Sequence, residues 1–177
     1  YHGILPSTYS SWNRDSVEVV GQVGTSYELV TQYWYDDESN LKQAQNRPSA
    51  TNEAMIAYLW SYNGAYVVAQ VTNITSAELE DLLSLSREAF SDLTDTNTIR
   101  TELNNVRSSL TSADQRMTIY LFEDRFGISE MQDANGQTIQ YIYDEFGRLT
   151  KTVDQKGNLV NAYRYNYLNP SQSFPQN

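Results

Sequence analysis

Cysteine is absent from the 177 residues, and histidine occurs once, as His2. Without a thiol there is no disulfide, no thiolate zinc site and no cysteine nucleophile. A His metal centre or a Ser-His-Asp triad would have to be built on His2, beside the chain start. Basic charge is also scarce. Lys and Arg number 12 against 22 Asp and Glu, a net charge of -10. Such a surface repels phosphate backbones, which excludes nucleic acid as an expected partner. No long apolar run is present. The longest, residues 54–60, falls far short of the roughly 18 residues that span a bilayer as a helix. There is no initiator Met and no basic-then-apolar leader, so the sequence reads as a processed piece of something longer. Tyrosine is plentiful instead: 14 Tyr against 3 Trp and 5 Phe, within a hydrophobic content of 40% that suits a folded chain. The length predicts one domain, 1–177, large enough to bury roughly 70% of its unfolded surface without a metal or disulfide.

The pattern of the chain predicts strands, then helices, then strands. Residues 17–20 and 26–35 read as strands about a turn at 21–24. In the second, Tyr27, Leu29, Thr31, Tyr33 and Tyr35 alternate with Glu28, Val30, Gln32 and Trp34. Residues 41–51 are polar and contain Pro48, which reads as a loop or an irregular second arm. Residues 54–60 and 65–72 are strand-like again, joined at Asn63-Gly64, a strong hairpin signal because both residues tolerate positive φ. Thr75 and Glu78 then have the spacing of a capping box. Leu79, Leu82, Leu83 and Phe90 follow at helical spacing. After a break at 92–97, so do Ile99, Leu103, Val106 and Leu110. These predict an αα-hairpin over 75–113 whose apolar stripes lie on a sheet face. The expected segments are 1–74 (degenerate hairpins), 75–113 (helical insertion), 114–168 (repeats) and 169–177 (a polar tail).

A phrase recurs with an offset of 20, from Gly127 to Gly147. Residues 119–128 and 139–149 each run from apolar alternation through an Asp to a Gly, and polar turns follow at 133–136 and 154–157. A third unit opens at Tyr163, Arg164, Tyr165. Worn copies stand earlier: Tyr33-Trp34-Tyr35-Asp36 aligns with Tyr141-Ile142-Tyr143-Asp144, which sets Ser39 where Gly147 stands, and Tyr58-Leu59-Trp60 begins another. A period near 20 with strand patterning predicts one hairpin per repeat, each packed on its neighbours.

Tyr141, Tyr143, Asp144, Gly147, Arg148 and Leu149, followed by Asp154, Gly157 and Asn158, closely resemble the YD repeat of the RHS/YD family. The copy at Tyr120 keeps Asp124 and Gly127 but has Phe122 for the second Tyr. With the helical insertion, the order of units resembles the C-terminal end of large YD-repeat proteins of Bacteroidetes. The resemblance implies long β-hairpins wound into a shell, export to the cell surface or medium, and neighbouring repeats of the parent chain as partners.

Physically the motif is architectural. Tyr at alternate positions lines one sheet face, where cross-strand pairs each add about 0.2–1 kcal/mol. Asp144 caps the turn after its strand, Gly147 supplies positive φ, and Arg148 pairs with an acid nearby. The expected fold is therefore a β-rich α+β domain, a twisted antiparallel sheet of hairpins partly covered by helices. Its expected role is structural and non-catalytic, without metal or cofactor. The alternative is carbohydrate binding on an aromatic platform of Tyr33, Trp34, Trp60, Tyr62 and Tyr66. Asp36, Asp37 and Glu38 offer carboxylates for glycoside hydrolysis, but adjacent acids suit a solvated turn better than two groups at a fixed separation. Asp133, Asn135 and Gly136 echo the start of a calcium loop without its closing Glu. A Tyr-rich last unit with one gatekeeping charge, Arg164, predicts an open edge and weak self-association.

Overall fold

The computed structural model describes residues 16–23, 26–46, 55–123 and 127–165. Ten strands form one antiparallel sheet in strict sequence order. They are β1 (Ser16–Val23), β2 (Ser26–Tyr35), β3 (Leu41–Asn46), β4 (Met55–Ser61), β5 (Tyr66–Thr72), β6 (Arg116–Glu123), β7 (Gly127–Gln132), β8 (Thr138–Tyr143), β9 (Leu149–Asp154) and β10 (Leu159–Ala162). Three helices lie between β5 and β6: α1 (Ser76–Glu80), α2 (Arg87–Ser91) and α3 (Thr96–Ser109). The fold is thus the β-rich α+β sheet expected from the alternation of the sequence.

Three local expectations are sharpened or corrected. The first turn does not begin at Gly21: Gly21 pairs with Glu28 and Val23 with Ser26, so the strand runs on. Of the two readings of 41–51, a loop or an irregular second arm, residues 41–46 take the second: they form β3, whose Gln43, Ala44 and Gln45 pair on both sides despite their polarity. A strand flanked by two others gains its ladder from its neighbours, so weak propensity is overridden. The first predicted helix is two. α1 has the expected capping box, with Glu78 N–H donating to Thr75 Oγ1 at 3.2 Å and Thr75 N–H to Glu78 Oε2 at 2.9 Å. It ends at Asp81, and Ser86 starts α2 by accepting from Ala89 N–H at 3.2 Å. Ser84 between them is held by Glu102 of α3, its hydroxyl 2.6 Å from Oε1. Serines that bond side chain to backbone compete with helix continuation.

Directly opposed residues of an antiparallel ladder share a face, and sequence neighbours take opposite faces. One face carries the row Trp34, Gln43, Ala57, Val71, Met117 and the row Leu59, Ala69, Ile119. Here the helices pack. Leu79, Phe90, Ile99, Leu103 and Val106 are fully buried against Leu59, Val68, Val71 and Leu121, while Leu82, Leu83 and Leu110 pack at the margin. Gln43 is tied to the insertion, accepting from Ser76 N–H at 2.8 Å. α3 is pinned to the sheet at its polar side by Arg100 on Glu130 at 3.1 Å and by Arg107, which donates to the carbonyls of Asp133 and Met117.

Candidate functional site: turns and aromatic seams

The Asp of the repeat builds its turn in one geometry, used four times among the described residues. In 36–40, 133–137, 144–148 and 154–158 the Asp Oδ1 accepts two backbone N–H groups, from the second and fourth residues after it, at 2.7–3.1 Å. The Asp N–H donates to the carbonyl of the fourth residue, and the third residue's N–H donates to the Asp carbonyl. That third residue has positive φ each time: Ser39 at 69°, Gly136 at 79°, Gly147 at 76° and Gly157 at 81°. The alignment of Ser39 with Gly147 is therefore real in backbone shape. The fourth residue closes the cap where its side chain allows. Arg148 Nε and Nη2 contact Asp144 Oδ2 at 2.7 and 2.6 Å, and Asn158 Nδ2 donates to Asp154 Oδ2 at 2.8 Å. The Arg148 hydrogen bonds, ahead of the backbone donors, hold the Asp144 carboxyl below its ordinary pKa. Asn158 does the same for Asp154. These bonds make Asp36, of the carboxylate candidates, and Asp133, of the calcium-loop candidates, turn caps. Among the described residues no group of three or more His, Cys, Asp or Glu could hold a metal ion.

At the end of the sheet carrying turns 36–40, 62–65 and 144–148, called the top, the hairpins part from one another. Each return strand has a bulge just after its turn, placing Lys42, Val68, Ser129 and Thr150 as extra residues. Within each hairpin the ladder continues past the bulge. Between hairpins it stops below: β3–β4 pairs only at Gln43–Gln45, β5–β6 at Ala69–Thr72 and β7–β8 at Glu130–Gln132. The carbonyl freed beside the bulge is then caught by the second aromatic of the next unit. Trp60 Nε1 donates to Leu41 O at 2.7 Å, Tyr143 Oη to Ile128 O at 2.7 Å, and Tyr165 Oη to Leu149 O at 3.0 Å. A buried carbonyl left without a partner is costly, so an indole or phenol that brings both area and a donor fits each seam. Burial, ahead of neighbouring Tyr141 and Glu123, pushes the Tyr143 hydroxyl above its ordinary pKa and keeps it protonated as a donor. Tyr141 and Tyr143 thus sit where the motif implies, but the role of Tyr143 as a seam donor is visible only in space. The signal in the sequence was the recurrence of an aromatic two places after each unit's first Tyr, at Tyr35, Trp60, Phe122, Tyr143 and Tyr165.

The five residues of the expected sugar platform do not share one surface. Tyr33 and Trp34 lie on opposite faces, Trp34 with the helices. Trp60 is occupied by its seam bond, Tyr62 is only 7% exposed, and Tyr66 stacks on Phe122 with centroids 4.4 Å apart. A different set gathers on the face away from the helices. Tyr58 has its pKa raised by burial first, then by the nearby hydroxyls of Tyr33 and Tyr120. Elsewhere, where the 36–40 turn meets α1 and α2, Asp36, Asp37, Glu38, Glu80 and Glu88 line a cleft of about 230 Å³ with Lys42 and Arg87. Arg87 there is held by Glu80 at 2.6 Å and by the Tyr58 carbonyl at 3.2 Å.

A sheet of serially stacked hairpins, with recurring Asp-capped turns and aromatic donors at three of the seams, defines a β-hairpin repeat protein. Comparison with known families agrees over one stretch: residues 124–159 match the model described as RHS Repeat. This segment contains the best copy of the motif, Tyr141 to Asn158. Among solved structures the chain is similar to one chain of the Photorhabdus luminescens Tc holotoxin pore, at 13% identity and a TM-score of 0.29. The similarity covers 84% of this chain and spans 8% of that one. No curated protein matches the sequence.

Proposed function

We propose that this chain is a structural segment of a larger exported RHS/YD-repeat protein, contributing hairpins to a continuous sheet and catalysing nothing. The carrying observation is the seam: Trp60, Tyr143 and Tyr165 each join a hairpin to its predecessor through the same bulge carbonyl. Side chains committed to joining units are spent on assembly. RHS repeats are a structural family, and β1 and β10 end the described sheet with one neighbour each. In this reading the neighbouring repeats of the parent chain extend the sheet. Among the described residues no helix is long and apolar enough to cross a membrane. Hydrogen exchange of the parent protein against the isolated chain tests the proposal. Amides of β1 and β10 should be protected in the parent and exchange faster in the fragment. Equal, fast exchange in both would overturn it, as would turnover of glycoside, ester or peptide substrates lost in Asp36→Asn or Glu38→Gln.

A second reading, glycan binding, is favoured by the Tyr33, Tyr58 and Tyr120 cluster on the face the helices leave free. It predicts binding on a glycan array that Tyr58→Ala abolishes without unfolding the chain.

A further inference from the structure

One seam lacks the aromatic donor. In β6 the position equivalent to Trp60, Tyr143 and Tyr165 is Phe122, which has no hydroxyl or N–H to offer. The acceptor it would reach, by analogy with Leu41, Ile128 and Leu149, is Val67, paired with Trp60 just ahead of the Val68 bulge. A different residue bridges the gap from the other side. Tyr62, in the turn between β4 and β5, has its hydroxyl 3.1 Å from both the N–H and the carbonyl of Phe122, and 3.1 Å from Thr96 Oγ1. Thr96, the first residue of α3, donates to the same carbonyl at 3.2 Å. The Tyr62 and Phe122 rings meet edge to face at 5.9 Å.

The turn that carries Tyr62 is also exceptional. It has no Asp, so it cannot cap itself as the other turns do. The end of α2 and the linker to α3 supply acceptors instead: Leu93 O takes Tyr62 N–H at 2.7 Å and Ser91 O takes Gly64 N–H at 3.2 Å. Ser61 Oγ donates to Phe90 O at 2.9 Å and contacts Leu93 O at 3.0 Å. Tyr62 itself is held at φ 57°, a conformation that a bulky side chain adopts only when its surroundings impose it. The helical insertion enters the chain at the bottom of the β5–β6 seam yet is anchored at its top.

We propose that the insertion is a latch on this seam, closed by Tyr62 and Thr96 over Phe122, and that it holds the top of the β5–β6 seam shut. The two repeat blocks, β1–β5 and β6–β10, are paired there only at Ala69–Thr72. Above that point they are joined by the latch and by the stack of Tyr66 on Phe122. Releasing it lets the top of the seam open while the other seams stay stapled.

Hydrogen exchange on the whole chain, in wild type, Tyr62→Phe and Tyr62→Phe/Phe122→Tyr, tests this. Tyr62→Phe keeps the ring and removes one hydroxyl. Exchange should rise about tenfold at Leu121 and Phe122, the size expected for losing one hydrogen bond of this kind, with the β7–β8 seam unchanged. The added Phe122→Tyr hydroxyl, directed at Val67 O as in the other seams, should bring the rate back down. Unchanged exchange in Tyr62→Phe, an equal rise at both seams, or no recovery in the double variant would each overturn the proposal. If Tyr62→Phe fails to fold, Thr96→Val is read in the same way at the same amides.

Discussion

At the residue scale the repeated Asp turn is a controlled comparison, because Ser39 stands where the other three described turns have Gly. A left-handed conformation costs a non-glycine residue about 1–2 kcal/mol, whereas glycine's extra freedom in the unfolded chain returns about 0.5–1. Ser39→Gly should therefore stabilise the fold by about 0.5–1 kcal/mol in urea denaturation, the strain relieved outweighing the entropy lost. Gly136→Ala should cost about 1 kcal/mol, and backbone alone is responsible, since a Cβ there meets nothing within 4 Å. The aspartates add a pH dependence. Asp144 and Asp154 are held below their ordinary pKa in the folded chain by Arg148 and Asn158 respectively. Their contribution is complete above the unfolded value, near about 3.9, and fades as pH falls through the lowered folded value. Denaturation midpoints should hold steady from neutrality to about pH 5 and then drop, less steeply in Asp144→Asn.

At the scale of elements, the insertion stands on few residues. α3 presents Ile99, Leu103 and Val106 to the sheet at a spacing of four and three, all fully buried. Leu103→Ala removes three carbons from a site walled by helix and sheet, and should cost about 2–5 kcal/mol in thermal or chemical denaturation. A loss under 1 kcal/mol would mean that the helix is loosely seated. α1 and α2 have five residues each, too short to persist alone, and depend on their caps and on Leu79 and Phe90. The helical period in the sequence located the insertion and its buried stripe. It did not reveal the interruption at 81–86, because Ser84 finds its partner Glu102 only once α3 is in place.

At the scale of the whole molecule, the two ends of the sheet differ from its middle. β10 is exposed along its length, and Phe146, Leu159, Val160, Tyr163 and Tyr165 are the exposed large apolar side chains around it. Arg148 lies over the Phe146 ring at 4.9 Å and the Tyr165 ring at 5.4 Å, covering part of that surface. Edge strands recruit other strands, while a charge of -10 keeps copies apart. The isolated chain should associate weakly in sedimentation equilibrium, more strongly as salt screens that repulsion, and Val160→Lys at the edge should reduce it. Monomeric behaviour at every salt and protein concentration would show an edge already blunted.

The sequence by itself determined the local elements: alternation made the strands, the Asp-to-Gly spacing made the turns, and the three- and four-residue period made the helical face. These are short-range effects, decided by which residues lie within five positions of one another. It determined the repeat as well, down to the left-handed Ser39. Only the tertiary structure decided what crosses between units. The donors Trp60, Tyr143 and Tyr165 find carbonyls 15–19 residues away, and Tyr62 finds Phe122 at a separation of 60. An aromatic in a strand pattern reads the same whether it lies free for a ligand, as was expected of Trp60 and Tyr62, or fills a seam. Which of these it does depends on where a bulge bends the neighbouring strand and frees a carbonyl, and that is settled by packing.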